Sequence, residues 1–166
     1  MLNFIPVTTQ QQISLCERLA FDIWQEHYVP IIGPKQVRYM LENFQSAEAI
    51  GRQIVEEQYA YFLIQLDDIY IGYFSLRTDP EDNALFLSKI YLLEGQRGRG
   101  LGRQTFDYIQ QLAADAGCKR IHLTVNKNNK ETIAFYEACG FKNTGSVVQD
   151  IGEGFVMDDF AMVKEL

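Results

Sequence analysis

Apolar positions along this chain switch between two periods, and the switches predict the elements. Ile13, Cys16, Ala20, Ile23 and Trp24 recur at helical spacing. A first helix therefore follows a short strand over Asn3 to Val7, with Thr8 or Thr9 as its cap and Pro30 as its end. Pro34 suits the first turn of another helix, whose apolar side is Val37, Met40, Leu41 and Phe44. Ser46 to Glu57 is a third, more polar helical piece. The texture then becomes aromatic and branched: "YAYFLIQL" (Tyr59 to Leu66) and "IYIGYFSL" (Ile69 to Leu76) flank Asp67-Asp68 and predict a hairpin. After a break at Pro80, "ALFLSKIYLL" (Ala84 to Leu93) supplies the next strand of an antiparallel meander.

A helix begins near Gly100, carries Leu101, Tyr108, Ile109, Leu112 and Ala116, and stops at Gly117. "RIHLTV" (Arg120 to Val125) reads as a strand with Ile121, Leu123 and Val125 on one face. Asn128 and Glu131 have capping-box spacing for a short helix that Gly140 closes, and "FKNTGSVV" and "GFVMDDFAMV" are the closing strands. With no repeat, linker or low-complexity tract, the order predicts a single mixed α/β (α+β) domain over residues 1–166.

Composition narrows the function classes. A chain of 166 residues, 47% hydrophobic and 22% charged, has the apolar content of one domain with a core. Its formal charge of −7 argues against nucleic acid as a partner, since phosphate binding requires a basic surface. An acidic balance is compatible with a cationic substrate, but acidic charge alone more commonly serves solubility. No apolar run approaches the roughly 18 to 20 residues of a membrane span, and "MLNFIPVTTQ" lacks the features of a signal peptide, so a cytoplasmic protein with no membrane partner is expected. Cys16, Cys118 and Cys139 are odd in number and far apart, as free thiols would be, and suggest neither a disulfide framework nor a metal site.

The chemistry concentrates in Arg97-Gly98-Arg99-Gly100-Leu101-Gly102-Arg103, which joins a strand to a helix. Such turns present backbone N–H groups to phosphate. A nucleotide P-loop requires Gly-Lys followed by Ser or Thr, whereas Gly102 is followed by Arg103 and Gln104. A dinucleotide fingerprint requires a third glycine three residues after the second, in a parallel βαβ unit, but position 103 is Arg and the strands before the turn read as antiparallel. The remaining pattern, Arg-x-x-Gly-x-Gly, resembles the pyrophosphate motif of the Gcn5-related N-acetyltransferase (GNAT) superfamily. "NKETIAFYEACGF" is similar to the superfamily's later motif, with Asn129, Tyr136, Gly140 and Phe141 at matching positions. Ile71-Gly72-Tyr73 and the element order extend the likeness over nearly the whole chain. "IWQEHYVPIIGPKQVRYML" and "MDDFAMVKEL" are similar to its polyamine (spermidine/spermine-type) subgroup.

The resemblance implies a mostly antiparallel sheet of about seven strands flanked by helices, with a splayed strand pair that admits acetyl-CoA. It implies that Arg97, Gly98, Arg99, Gly100, Leu101, Gly102 and Arg103 hold the pyrophosphate, and that Asn129 and Tyr136 belong to the cofactor site. Backbone groups of Tyr91, Leu92 and Leu93 would pair with the pantetheine arm as a further strand would, one N–H near Tyr91 or Leu92 facing the thioester oxygen. Tyr136 stands at the family's usual acid position, where it would protonate the departing sulfur; its ring alternatively packs helix against sheet. Several relatives carry a glutamate base where this chain has Ser88, so that role does not transfer, and Glu26, His27, Tyr28, Glu94 or a water relay are the substitutes. The implied activity is acetyl transfer from acetyl-CoA, without a metal, to a small-molecule primary amine such as a polyamine. Protein or peptide acetylation and non-catalytic acyl-CoA binding are the alternatives. A homodimer is compatible with superfamily habit.

Overall fold

The computed structural model describes residues Met1–Leu166, which form two compact units. Met1–Arg77 with Lys89–Gly102 makes the first, and Thr78–Ser88 with Arg103–Leu166 the second. Seven strands, numbered in chain order, form one sheet in the order β1-β2-β3-β4-β5-β7-β6.

In the first unit, β1 (Leu2–Pro6) leads to α1 (Gln10–His27). Thr9 rather than Thr8 is the cap: its hydroxyl accepts from the Gln12 N–H at 3.2 Å, and Gln12 Oε1 accepts from the Thr9 N–H at 3.0 Å. Pro30 does not itself end α1. It lies in a separate single turn, α2 (Val29–Ile32), where the missing N–H has no helical partner to lose. Gly33, at φ +84°, reverses the chain before α3 (Pro34–Phe44), and the Ser46 side chain caps α4 (Ala47–Val55) by accepting from the Ala49 N–H. β2 (Ala60–Leu66) pairs antiparallel with β3 (Ile69–Asp79) across Asp67-Asp68, both at positive φ as a tight hairpin requires. Helix α1 packs against α3 and α4, burying Cys16, Ala20, Ile23, Trp24, Val37 and Ile50 with Tyr61, Leu63, Ile71 and Tyr73 of the sheet. Each large apolar side chain buried in this way contributes about 1.5–3 kcal/mol.

β4 (Ala84–Leu92) begins in the second unit, where Ala84, Leu85 and Phe86 pair in parallel with Arg120, Ile121 and His122 of β5 (Arg120–Asn126). The recorded ladder is three pairs long. Between these strands runs α5 (Leu101–Asp115), closed by Gly117 at φ +75° with the Cys118 N–H returning to the Ala113 carbonyl. α6 (Lys130–Ala138) ends the same way at Gly140, with the Phe141 N–H on the Tyr136 carbonyl. Its start differs from the capping box expected of Asn128 and Glu131. Asn129 is the N-cap and makes no side-chain capping bond, while the Asn126 carboxamide accepts from the Asn128 N–H at 2.9 Å and shapes the preceding turn. β6 (Lys142–Gly152) and β7 (Phe155–Glu165) form the closing hairpin, longer than the apolar runs suggest, with β7 lying antiparallel to β5. No helix is long and apolar enough to cross a membrane.

Candidate active site

In the first unit, the end of β4 and the glycine turn form one continuous feature. Gly98 and Gly100 have φ of +73° and +75°, the left-handed region that glycine enters without strain. Gly102 does not share this need, because it lies in the first turn of α5. Gly72 serves β4 in another way. A Cβ there would stand 2.1 Å from the Tyr91 carbonyl oxygen and 3.1 Å from the Leu92 Cα, so only glycine lets β3 and β4 approach at this point. The Leu93 N–H donates to the Ile71 carbonyl at 2.9 Å, and the Leu93 carbonyl accepts from the Gln96 N–H at 2.9 Å. Leu93 is therefore committed to the protein's own backbone through both its N–H and its carbonyl, while the Leu92 carbonyl is engaged by Arg97 and the Tyr91 carbonyl faces Gly72.

The three arginines are held differently. Arg97 Nε donates to the Leu92 carbonyl at 3.2 Å, and its Nη1 lies 3.2 Å from His27 Nδ1. Because a guanidinium only donates, His27 Nδ1 is the acceptor and Nε2 carries the ring proton. Arg99 donates to Gln96 Oε1, and Arg103 pairs with Asp107 on its own helix at 3.0 Å. Of the other base candidates, Glu26 and Glu94 are exposed, and the Tyr28 ring stacks on Trp24 at 4.3 Å.

Behind β4 is a polar cluster that the strand pattern does not announce. Lys89 is 8% exposed, and its Nζ donates to Gln53 Oε1 at 3.1 Å, to the Phe44 carbonyl at 3.4 Å and to the Tyr61 hydroxyl. Burial lowers its pKa to about 7, against smaller opposing effects of Cys16 and Glu57. Burial also pushes the Cys16 thiol up to about 12, with Lys89 opposing, so Cys16 is a packed thiol rather than a nucleophile. Tyr73 donates to Gln45 Oε1 at 2.8 Å, and the Tyr91 ring meets those of Tyr73, Trp24 and Tyr28 edge-on at centroid separations of 5.5, 5.8 and 6.0 Å.

The second unit holds the later motif. Asn129 is 2% exposed at the start of α6, where its N–H donates to the Asn126 carbonyl at 3.0 Å. The Tyr136 ring is buried between Phe135 and Phe141, each at 5.5 Å, and Phe141 in turn meets Phe106 at 5.4 Å. Tyr136 is thus fixed in an aromatic cluster that orients its side chain whatever its chemical part. Ser88, half-buried on β4, also belongs to this unit. No group of three or more His, Cys, Asp and Glu side chains is placed to hold a metal ion.

A glycine turn opening a helix, on a strand with a short parallel partner, presents backbone N–H groups and a helix N-terminus suited to a phosphate-bearing cofactor. The sequence profile of the acetyltransferase (GNAT) family matches residues 19–141. The chain belongs to this family of N-acetyltransferases. It is 30% identical over 137 residues to an uncharacterized N-acetyltransferase of Mycobacterium tuberculosis, covering 82% of this chain and 86% of the relative. It is 33% identical over 70 residues to the spermine/spermidine N(1)-acetyltransferase of Bacillus subtilis, covering 42% of this chain and 46% of that one. The crystal structure of the PaiA N-acetyltransferase of Thermoplasma acidophilum in complex with coenzyme A shares the fold, with a TM-score of 0.80 at 18% identity over 100% of this chain and 99% of that one.

Proposed function

We propose that this N-acetyltransferase moves an acetyl group from acetyl-CoA to a primary amine of a small molecule, with polyamines the first candidates. The observation that carries the reading is the turn in which Gly98 and Gly100, both left-handed, lead from the end of β4 into the N-terminus of the 15-residue helix α5. Backbone N–H groups and the positive end of the helix dipole suit a pyrophosphate there, with Arg97, Arg99 and Arg103 in sequence around them. The coenzyme A complex of the Thermoplasma protein supports the donor, and the partial match to the Bacillus polyamine enzyme supports the acceptor class.

In this reading, backbone groups of Tyr91 and Leu92 align the pantetheine arm, and an N–H there stabilises the oxyanion formed on amine attack. One such donor is worth roughly 3 kcal/mol in other acyl-transfer sites. Tyr136, locked by its aromatic neighbours, donates a proton to the leaving sulfur. The test is thiol release from acetyl-CoA in the presence of spermidine, spermine, thialysine, an aminoglycoside or a lysine-containing peptide. Turnover concentrated on polyamines supports the reading; turnover on the peptide alone replaces the acceptor class, and no release with any amine removes it.

A further inference from the structure

The proposed reaction lacks a base, and the second unit contains a carboxylate the sequence motifs leave unused. Asp159, on β7, is the one buried acidic side chain among 22 Asp and Glu residues, at 5% exposure. Register places it directly opposite Asn126 at the carboxyl end of β5, with Thr124 opposite Ala161 and His122 opposite Val163. Opposed residues of an antiparallel pair share a face. One face of β5–β7 therefore carries His122, Thr124, Asn126 and Asp159, while Ile121, Leu123, Val125 and Met162 are buried on the other. The polar strip continues onto β4. Phe86 pairs with His122, its ring 5.0 Å from the imidazole, and Ser88 follows two residues on along the same face. Thr124 is exposed, so the strip is open to solvent where Asp159 is sunk beside it.

We propose that Asp159 is the carboxylate that receives the acceptor's ammonium group on this open face and takes its proton, leaving the amine free to attack the thioester. The assignment rests on the acetyl-transfer reading above. Three observations carry it. The residue stands at the carboxyl end of β5, and strands with a parallel partner bind ligands at that end. Lys127, the cation whose charge acts on it, is already engaged, since its Nζ bonds to Asp158 at 2.7 Å. A desolvated carboxylate without a partner ammonium favours a ligand that supplies one.

Its acidity fits the role. Burial raises the pKa to about 6; the Thr124 hydrogen bond opposes this, Asp158 adds to it and Lys127 opposes it. The group is then ionised at neutral pH yet close enough to it to accept a proton. The ammonium nitrogen loses two protons in all, the first before its bond to the acetyl carbon forms and the second afterwards. One passes to Asp159 and on to water, and the other ends on the CoA sulfur when the C–S bond breaks.

Asp159→Asn tests this with acetyl-CoA and the panel amines. The wild type should show an acid limb in kcat/KM for the amine with an apparent pKa near 6. The variant should lose that limb, fall about 100-fold at neutral pH, and recover as alkaline pH deprotonates the amine itself, whose pKa is about 10. Its KM for acetyl-CoA should not change. Asn matches Asp in shape and carries no charge to desolvate, so the variant should melt at or above the wild-type temperature, and Asp159→Glu should restore a displaced limb. A variant within threefold of wild type at neutral pH, or one that keeps the limb, overturns the assignment alone. A wild type inactive on every amine removes it together with the reading beneath it.

Discussion

Lys89 shows how a single buried charge sets a stability profile. Its partners, Gln53 Oε1, the Phe44 carbonyl and the Tyr61 hydroxyl, are all neutral, so they do not offset the desolvation of its ammonium in full. The folded-state pKa, lowered to about 7, lies below the usual lysine value of 10.5. Between these values the unfolded chain binds the proton and the folded chain does not, so stability rises as pH increases from about 7 to about 10.5. Below pH 7 both states are charged, and the folded one bears the whole penalty. Lys89→Met should flatten that slope and leave the protein at least as stable at pH 6.5, because Gln53 and Tyr61 still bond to each other. Urea midpoints of both proteins across this range would decide it, and an unchanged slope would show that Lys89 is not the titrating group. Neither Lys89 nor Asp159 was legible in the chain, although the glycine turn and the Asn129–Tyr136 motif were. "LSKIYL" and "MDDFAM" look like strands with solvated charges, and Lys89 finds Gln53 and Tyr61 only 36 and 28 residues away. Burial of a charge is a property of the assembled layers, invisible to local pattern.

At the scale of elements, strands and helices were legible because each long element carries its own period. The Asp67-Asp68 hairpin, the Thr9 cap and the closures at Gly117 and Gly140 are local chemistry, and the fold realises them. The differences arise where a short segment has two local solutions. Pro30 serves a helical first turn as well as a helix end, and the turn before α6 is shaped by Asn126 instead of an Asn128 cap. Ile71-Gly72-Tyr73 was legible as part of the family likeness, but the physical need for glycine there was not, because it lies in a contact between β3 and β4 segments about 20 residues apart. Gly72→Ala puts a methyl carbon 2.1 Å from the Tyr91 carbonyl oxygen, and backbone, unlike a flexible side-chain end, cannot simply move aside. The strand must shift just where Tyr91 and Leu92 are proposed to align the thioester. We expect acetyl transfer to fall by roughly two orders of magnitude, as displacement by about 1 Å does elsewhere, together with weaker CoA binding by calorimetry. Wild-type kcat in the alanine variant would show that this close approach has no part in the reaction.

Across the whole molecule, the two substrates of the proposed reaction carry opposite charge, while the chain itself carries −7. Coenzyme A is a polyanion, and the basic residues that suit it are local: Arg97, Arg99 and Arg103 fall within the glycine turn, with Arg103 already paired to Asp107. A polyamine is a polycation, and the acidic balance of the remainder favours its approach over distances that the turn does not govern. Salt separates the two effects, because the Debye length shrinks from ~30 Å at about 0.01 M to ~3 Å at about 1 M. With saturating acetyl-CoA, kcat/KM for spermidine should therefore fall by roughly an order of magnitude or more over that range, driven mainly by KM. With saturating amine, kcat/KM for acetyl-CoA should fall much less or rise, since salt screens the repulsion between a polyanion and an acidic protein as well as its attraction to the turn. A monoamine acceptor should show a shallower slope than spermidine, in proportion to its charge. Parallel declines for both substrates would mean that the basic turn dominates the field at long range. A spermidine rate that climbs with salt would contradict electrostatic attraction of a polycation by this chain, and a neutral or singly charged amine would then become the better candidate for the acceptor.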